Sequence, residues 1–392
     1  MKRLALCLLA ASLLGGTAVL AQGQLQYTAD NPITYPAGIY AGEVAGVATN
    51  SKGEIIVYQR AGNPYASLGG SRIFVHGQDQ LLVFDKSGKF VRQFGKGIYS
   101  SLVANSVRVD SHDNIWTADR YSGMVVKFSP DGSQILMLLG RKPENINVTV
   151  VGGAGGGRGG RGAGGGAGGE AGGAPPAQAA AAGGEPGAAP APAPAPGRGG
   201  RGGRGPAGAG GQQDVFTGVS DVALDGEGNV FVADGYGGNN RVAKFTPEGV
   251  FVASFGATGS GATQLDNPRS IAVDKTGNVY VADHNNHRVQ VLSNDLKSVV
   301  RTITGVGDPS AVCISPGAHP YLYVSNSNPM NDLDHGGEIY RTELDGTVVG
   351  QFGTAGKAPK QFASVNQIDC RQANTLYTAE AGAYRVQKVS LR

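Results

Sequence analysis

The sequence has few cysteines, a single tryptophan and, beyond its first residues, no long apolar run. Only Cys313 and Cys370 lie outside the first 21 residues, which excludes a small domain held together by many disulfides. The apolar stretch 4–16 is too short for a bilayer span, and we expect no membrane span elsewhere. A formal net charge of +3 over 392 residues argues against a nucleic-acid partner.

The N-terminus has the pattern of a secretory leader. Lys2 and Arg3 form a basic start, the apolar stretch follows, and the small residues 18–21 resemble a cleavage site. We therefore expect a signal peptide at 1–21 and a periplasmic or extracellular protein.

A single pattern recurs along the rest of the chain. It is clearest at 267–293 and returns at 218–246, at 105–129 and, more loosely, at 46–62. Each copy contains an alternating strand, a turn with Gly or Asn, a second strand, a polar loop and a third strand, and a fourth strand follows. Four antiparallel strands in roughly 40–50 residues are typical of a propeller blade.

Counting these copies predicts an all-β, six-bladed β-propeller of four-stranded antiparallel blades. The predicted blades lie near 43–95, 102–140, 216–256, 267–304, 308–353 and 364–392. The last blade ends after three strands and would leave an unpaired edge. We expect residues 25–35 to supply the missing strand, so that an N-terminal strand closes the last blade.

A long insert interrupts the propeller. Residues 152–213 are almost entirely Gly, Ala, Pro and Arg, and they lack the apolar surface needed to offset the entropy of ordering. We expect a disordered insert there. The predicted organisation is then a leader at 1–21, blades 1–2 with the closing strand at 22–151, the insert, and blades 3–6 at 214–392, in a monomer.

The two remaining cysteines fall in the innermost strands of neighbouring repeats. Aligning the repeats places Cys313 one position before Cys370, and neighbouring positions of a strand point to opposite faces. We expect two buried thiols rather than a disulfide.

The repeats resemble the NHL repeat. In the clearest copy Asp283 ends the second strand, and Asn286 and Arg288 follow across a short loop; Asp234, Asn240 and Arg241 show the same order of residues with a longer loop. The carboxylate can pair with the arginine across the loop, so we expect a structural role for these residues.

The chain also resembles the lyase domain of peptidyl-α-hydroxyglycine α-amidating lyases, which are six-bladed propellers of this type. The segment 35–60 is similar to the opening blade of that family and ends at Arg60, where the family has a functional arginine. Asp234, Gly235 and Tyr236 match the motif that carries its functional tyrosine. The resemblance implies that Arg60 steers substrate charge and that Tyr236 shuttles a proton.

The family's zinc ligands are missing. Three histidines at the entrances of innermost strands hold the metal in the family, and the matching positions here are Asn105, Arg269 and Asn366. We therefore expect neither tightly bound zinc nor significant lyase activity. The loop with Asp332, Asp334 and His335 is a calcium candidate, and the alternative is an ordinary solvated acidic loop.

Strand direction places several of these residues on one face of the ring, which we call the top face: the face where the innermost strands begin. Its predicted residues are Arg60, Asn105, Tyr236, Arg269, His284, His335 and Asn366. We expect them to bind a peptide, a glycan or a small molecule, with the arginines favouring an anionic group. The alternatives are a metal-dependent lyase or hydrolase with rearranged ligands, and a scaffold that docks a protein partner.

Overall fold

The structure is a computed structural model. It describes residues 23–61, 65–68, 72–75, 80–98, 101–140, 215–327 and 332–392. The predictions of a leader at 1–21 and of an insert at 152–213 fall outside these residues. Within them, no helix is long and apolar enough to cross a membrane.

The described residues form six four-stranded antiparallel blades, as the repeats predict. After β1 (Tyr27–Asp30), blade 1 contains β2 (Glu43–Thr49), β3 (Ile55–Arg60), β6 (Gln80–Phe84) and β7 (Phe90–Phe94), with a hairpin of β4 (Tyr65–Leu68) and β5 (Arg72–Val75) between β3 and β6. Blade 2 contains β8 (Ala104–Val109), β9 (Ile115–Asp119), β10 (Met124–Phe128) and β11 (Ile135–Leu139). Blade 3 contains β12 (Val219–Leu224), β13 (Val230–Asp234), β14 (Arg241–Phe245) and β15 (Phe251–Phe255).

The second half of the ring follows the same plan. Blade 4 contains β16 (Pro268–Val273), β17 (Val279–Asp283), β18 (Arg288–Leu292) and β19 (Val299–Ile303), with a 3₁₀ turn at His284–Asn286. Blade 5 contains β20 (Pro309–Ile314), β21 (Leu322–Asn326), β22 (Ile339–Thr342) and β23 (Val348–Phe352). Blade 6 contains β24 (Val365–Gln372), β25 (Thr375–Glu380) and β26 (Arg385–Leu391), together with β1.

The innermost strands contact one another in a closed circle. Strand β2 contacts β8, and the contacts continue through β12, β16, β20 and β24 back to β2. Apolar side chains fill the space between neighbouring blades; for example, Val57 and Leu82 of blade 1 pack in one cluster with Tyr377 and Val386 of blade 6. The beginnings of six strands therefore meet around one axis at the top face.

The repeated acidic residue at the end of the second strand holds the loop that follows it. Asp283 is buried and accepts hydrogen bonds from Arg288 Nε at 2.7 Å and from Asn286 Nδ2 at 2.9 Å. Asp234 pairs with Arg241 at 3.4 Å. In both blades the aspartate pairs with the arginine across the loop, which is the structural role that the sequence predicts.

The prediction of two free thiols is wrong. Cys313 of β20 and Cys370 of β24 form a disulfide with a Cα–Cα distance of 6.0 Å. The expectation failed because neighbouring blades present opposite faces of their sheets to each other. Ala311 and Cys313 of blade 5 therefore pack in one cluster with Ile368 and Cys370 of blade 6, whereas Val312 and Ile314 pack on the other side of blade 5.

The chain's N-terminal part closes the ring in the last blade. Strand β1 pairs antiparallel with β26, from Tyr27 opposite Leu391 to Asp30 opposite Lys388. The Tyr27 ring packs 4.9 Å from that of Phe352 in blade 5. The predicted closing strand is confirmed.

Removing residues 23–36 should destabilise the protein by roughly 3–6 kcal/mol. The deletion exposes the edge of β26 and removes buried Ile33 together with the partly buried Leu25 and Tyr27, and each large apolar side chain contributes about 1.5–3 kcal/mol. Thermal unfolding of 37–392 and 23–392 measures the difference, and Tyr40→Ala, which alters an exposed side chain, is the control. Equal melting temperatures for the two chains would contradict this account of ring closure.

Candidate functional site

A pocket of about 290 Å³ opens at the top face of the ring. The described residues that line it are Arg60, Arg120, Tyr236, Arg269, His284, Asp308, Ser310, Ser327, Ser364, Asn366 and Ala381. They come from all six blades. The structure thus brings together five of the residues that the sequence placed on this face, namely Arg60, Tyr236, Arg269, His284 and Asn366.

One repeated position, the second residue of an innermost strand, supplies Arg269, Ser310 and Asn366 to the pocket lining. In blades 2 to 6 this residue is Asn105, Ser220, Arg269, Ser310 and Asn366. Asn105 Nδ2 donates to the backbone carbonyl of Ser220, and Asn366 Nδ2 donates to that of Asn105 at 2.7 Å. Hydrogen bonds from blade to blade therefore fix the side chains around the axis.

Arg269 lacks an acidic partner among the described residues. Its Nη1 lies 3.4 Å from the hydroxyls of Ser310 and Ser327, which are neutral. Its Nε is buried and has no hydrogen-bond partner among the residues that the structure describes. A part-buried guanidinium without a carboxylate beside it favours a negatively charged group in the pocket.

Arg60 is already neutralised. Its Nη1 forms an ion pair with Glu43 at 2.8 Å, and its Nε donates to the carbonyl of Ala104 at 2.8 Å. Its Nη2 lies 3.5 Å from Asn105 Oδ1, so Arg60 also contacts the innermost strand of blade 2. Arg60 is thus held rigidly at the wall, and its charge is largely balanced.

Tyr236 is positioned by the glycine before it. A Cβ on Gly235 would lie 2.2 Å from the carbonyl oxygen of Pro268, so only glycine lets this loop approach blade 4 so closely. The Arg120 guanidinium lies 5.2 Å from the centre of the Tyr236 ring, a cation–π contact between blades 2 and 3.

Sequence reasoning missed Arg120. It forms no ion pair within the described part of the chain, and it lines the pocket together with Arg269. The repeat alignment contained a signal for it, because Arg120 directly follows Asp119 as His284 directly follows Asp283. That position points into the pocket in both blades.

His284 is a neutral histidine at neutral pH. Burial, with the nearby Arg269 cation as the next cause, lowers the pKa of His284 to about 4. Its Nδ1 lies 3.2 Å from the carbonyl oxygen of Pro309, which can only accept, so Nδ1 carries the proton and Nε2 is an acceptor.

This shift should make the stability of the protein depend on pH. Between pH 6.5 and 4 the unfolded chain binds a proton at His284 that the folded chain does not, so stability falls as pH falls through this window. Over the whole window, protonation of His284 in the unfolded chain lowers the free energy of unfolding by about 3 kcal/mol. We expect urea unfolding at pH 7 and pH 4.5 to show a larger loss for the wild type than for His284→Gln. Equal losses would show that His284 does not titrate with a lowered pKa.

The positions that match the zinc ligands of amidating lyases do not fit a zinc ion. The Nδ2 groups of Asn105 and Asn366 are directed at backbone carbonyls, and Asn366 Nδ2 also donates to the carbonyl of Ala45 at 2.6 Å. The third matching position, Arg269, is a cation. Two engaged amides and a guanidinium do not make a metal site.

The other metal candidate lies outside the pocket lining. In the blade 5 loop, His335 Nδ1 lies 3.0 Å from an oxygen of Asp332, whose other oxygen accepts the backbone N–H of Asp334 at 2.9 Å. The His335 side chain is 84% exposed. Across the residues that the structure describes, no group of three or more His, Cys, Asp or Glu is placed to hold a metal ion.

Comparisons with known proteins agree with the repeats. The NHL repeat model matches residues 265–292. The chain is 23% identical over 376 residues to peptidylglycine alpha-amidating monooxygenase of Rattus norvegicus, covering 90% of this chain and 31% of that protein. It is 24% identical over 288 residues to a probable peptidyl-alpha-hydroxyglycine alpha-amidating lyase of Caenorhabditis elegans, covering 70% of this chain and 62% of the relative.

A solved structure supports the fold alone. A protein of unknown function from Bacteroides thetaiotaomicron aligns with a TM-score of 0.56 at 11% identity, covering 94% of this chain and 77% of that one. The chain spans about a third of the length of the rat monooxygenase. The protein is thus a six-bladed β-propeller with an NHL repeat, and it is similar over most of its length to the amidating monooxygenase and lyase proteins.

Proposed function

We propose that the protein is a binding module whose top-face pocket takes the carboxylate of a small molecule or of a peptide C-terminus. The observation that carries this proposal is Arg269, a pocket cation whose buried Nε has no hydrogen-bond partner in the described part of the chain. Arg120 supplies a second cation without an acidic partner in the described chain. A planar carboxylate matches the fork of a guanidinium and would complete its hydrogen bonds.

The neighbouring charges favour the same ligand. Arg60 and Glu43 balance each other, and His284 is neutral above its lowered pKa of about 4. Asp308 is the acidic residue among the described lining, and its carboxylate contacts His287 at the rim, where 46% of its side chain is exposed. The buried part of the pocket therefore keeps an excess of positive charge.

The proposal places this module outside the cytoplasm. A disulfide between Cys313 and Cys370 needs an oxidising compartment to form and persist, and the leader-like residues 1–21 agree with export. Analysis of the N-terminus of the protein recovered from the periplasm or the medium tests export directly.

Calorimetric titration with N-acetylglycine and N-acetylglycinamide tests the binding function. The two compounds differ by a carboxylate against a neutral amide, so their affinities isolate the contribution of the charge. We expect the acid to bind at least 10-fold more tightly, since a hydrogen bond to a charged group contributes about 1.5–3 kcal/mol. Equal affinities, or no binding of the acid, would overturn the proposal.

Variants make the same test specific to the pocket. Arg120→Gln should weaken binding of the acid and leave the weak binding of the amide unchanged. Arg392→Gln is the matched control, because it removes one positive charge from an exposed residue at the far end of β26, away from the top face. If both variants weaken the acid equally, the effect is one of net charge and the pocket is not the site.

A further inference from the structure

We infer that the ligand of the top-face pocket is a hydroxylated carboxylic acid of about one sugar unit, that is, a sugar acid such as a uronate. This inference rests on the proposed carboxylate-binding function and names its substrate class. It follows from the chemistry of the pocket wall around Arg120 and Arg269.

The wall is polar nearly all round. Among the described residues that line it, only Ala381 has a purely hydrocarbon side chain; the others carry hydroxyl, amide, imidazole, phenol, guanidinium or carboxylate groups. Small-molecule pockets are usually lined predominantly by hydrophobic side chains with a few polar groups. A ligand with an apolar body would remove water from these polar groups without replacing its hydrogen bonds, which is unfavourable. The ligand must therefore offer polar groups on several sides.

The pocket offers hydrogen-bond acceptors as well as cations. Asn366 uses Nδ2 for two backbone carbonyls, which leaves its Oδ1 without a partner among the described residues. His284 is neutral with Nδ1 on a carbonyl, so Nε2 accepts. Asp308 adds a carboxylate at the rim. Acceptors of this kind call for donors on the ligand, and hydroxyl groups are donors that carry no charge.

The wall carries both a group suited to a carboxylate and acceptors suited to hydroxyls. The Arg269 guanidinium, beside Ser310 and Ser327, is the donor group suited to a carboxylate. The acceptors of Asn366 and Asp308 come from blades 6 and 5. A ligand with one carboxylate and several hydroxyls satisfies both sets at once, whereas a simple fatty acid or an uncharged sugar satisfies only one.

The volume limits the size of the ligand. A pocket of about 290 Å³ corresponds to about ten water molecules at 30 Å³ each. This space admits a single sugar acid and excludes the body of an oligosaccharide, although a chain could leave through the open top.

Three probes of similar size separate the contributions. D-Glucuronate carries a carboxylate and hydroxyls, cyclohexanecarboxylate carries only the carboxylate, and D-glucose carries only hydroxyls. In calorimetric titrations we expect glucuronate to bind at least 10-fold more tightly than either of the others. If cyclohexanecarboxylate binds as tightly as glucuronate, the sugar-acid inference is wrong and carboxylate binding stands. If glucose binds as tightly as glucuronate, or neither acid binds, both proposals are wrong.

A variant tests the acceptor at the rim. Asp308→Ala removes one negative charge and one acceptor. Loss of the negative charge changes the affinity for glucuronate and for cyclohexanecarboxylate equally, since each carries one negative charge. This change therefore cancels in the ratio of the two dissociation constants. We expect the preference for glucuronate to fall at least threefold. An unchanged preference would contradict the inference, because the ligand hydroxyls would then not use the acceptor at the rim.

Discussion

Replacing Cys313 and Cys370 by alanine is expected to lower the free energy of unfolding by about 4 kcal/mol. The disulfide joins the innermost strands of blades 5 and 6 and spans 57 residues. In the chain-entropy description, a cross-link of this span removes about 14 cal/mol/K from the unfolded chain, which is about 4 kcal/mol at 25 °C. Blade 6 is also the blade that β1 must complete, so the bond holds the ring at the place where it closes.

Urea unfolding of the oxidised wild type and of the double variant measures this difference. The reduced wild type should resemble the variant, because reduction removes the same cross-link. Thiol titration of the denatured protein, in a chain that begins after Cys7, should detect no free thiol before reduction and two after it. Two reactive thiols before reduction, with no loss of stability in the variant, would show that the bond does not form.

Replacing Arg269 by glutamine is expected to weaken N-acetylglycine binding by about 30- to 3000-fold. Removing one member of a buried, hydrogen-bonded charge pair costs about 2–5 kcal/mol, and each 1.4 kcal/mol is tenfold in affinity. Among the described residues the Nε of Arg269 has no hydrogen-bond partner, so Arg269 should contribute more than Arg60, which Glu43 neutralises. Glutamine keeps a polar side chain on Ser310 and Ser327 and limits structural damage.

His284 gives a readout that does not depend on any ligand. Because the Arg269 cation helps to lower the pKa of His284, the variant should raise that pKa toward 6.5, which NMR titration of the imidazole can follow. A raised pKa with unchanged affinity for the acid would mean that the substitution took effect in the pocket but that Arg269 does not bind the carboxylate.

The fold could be predicted because its signals are local. The alternation of each strand, the turns and the Asp–Arg pairs such as Asp283 with Arg288 recur from blade to blade, and most contacts between blades are between neighbours. The closing strand also followed from the sequence, because the last blade lacked a fourth strand and only the N-terminal segment remained to supply it.

The disulfide follows from the geometry of the ring and not from spacing alone. Side chains one position apart in aligned strands point to opposite faces of their sheets, and in a propeller opposite faces of neighbouring blades are the ones that meet.

The sequence predicted some of the residues that line the pocket, but it did not predict which ion pairs they form. Repeat position placed Arg269, His284 and Asn366 on one face, and it could have added Arg120. The balance of charge depends on which side chains meet across strands, such as Arg60 with Glu43, and this decides which cation is left for a ligand.

The central claim is that this pocket binds an anion through its arginines rather than through zinc, and one titration tests it most directly. N-Acetylglycine is titrated into protein treated with a chelator, and then into the same protein with added zinc. We expect the same affinity in both, lost in Arg269→Gln, and no turnover of an α-hydroxyglycine peptide in either. Binding that appears only with zinc, or zinc-dependent turnover that Tyr236→Phe abolishes, would contradict the account.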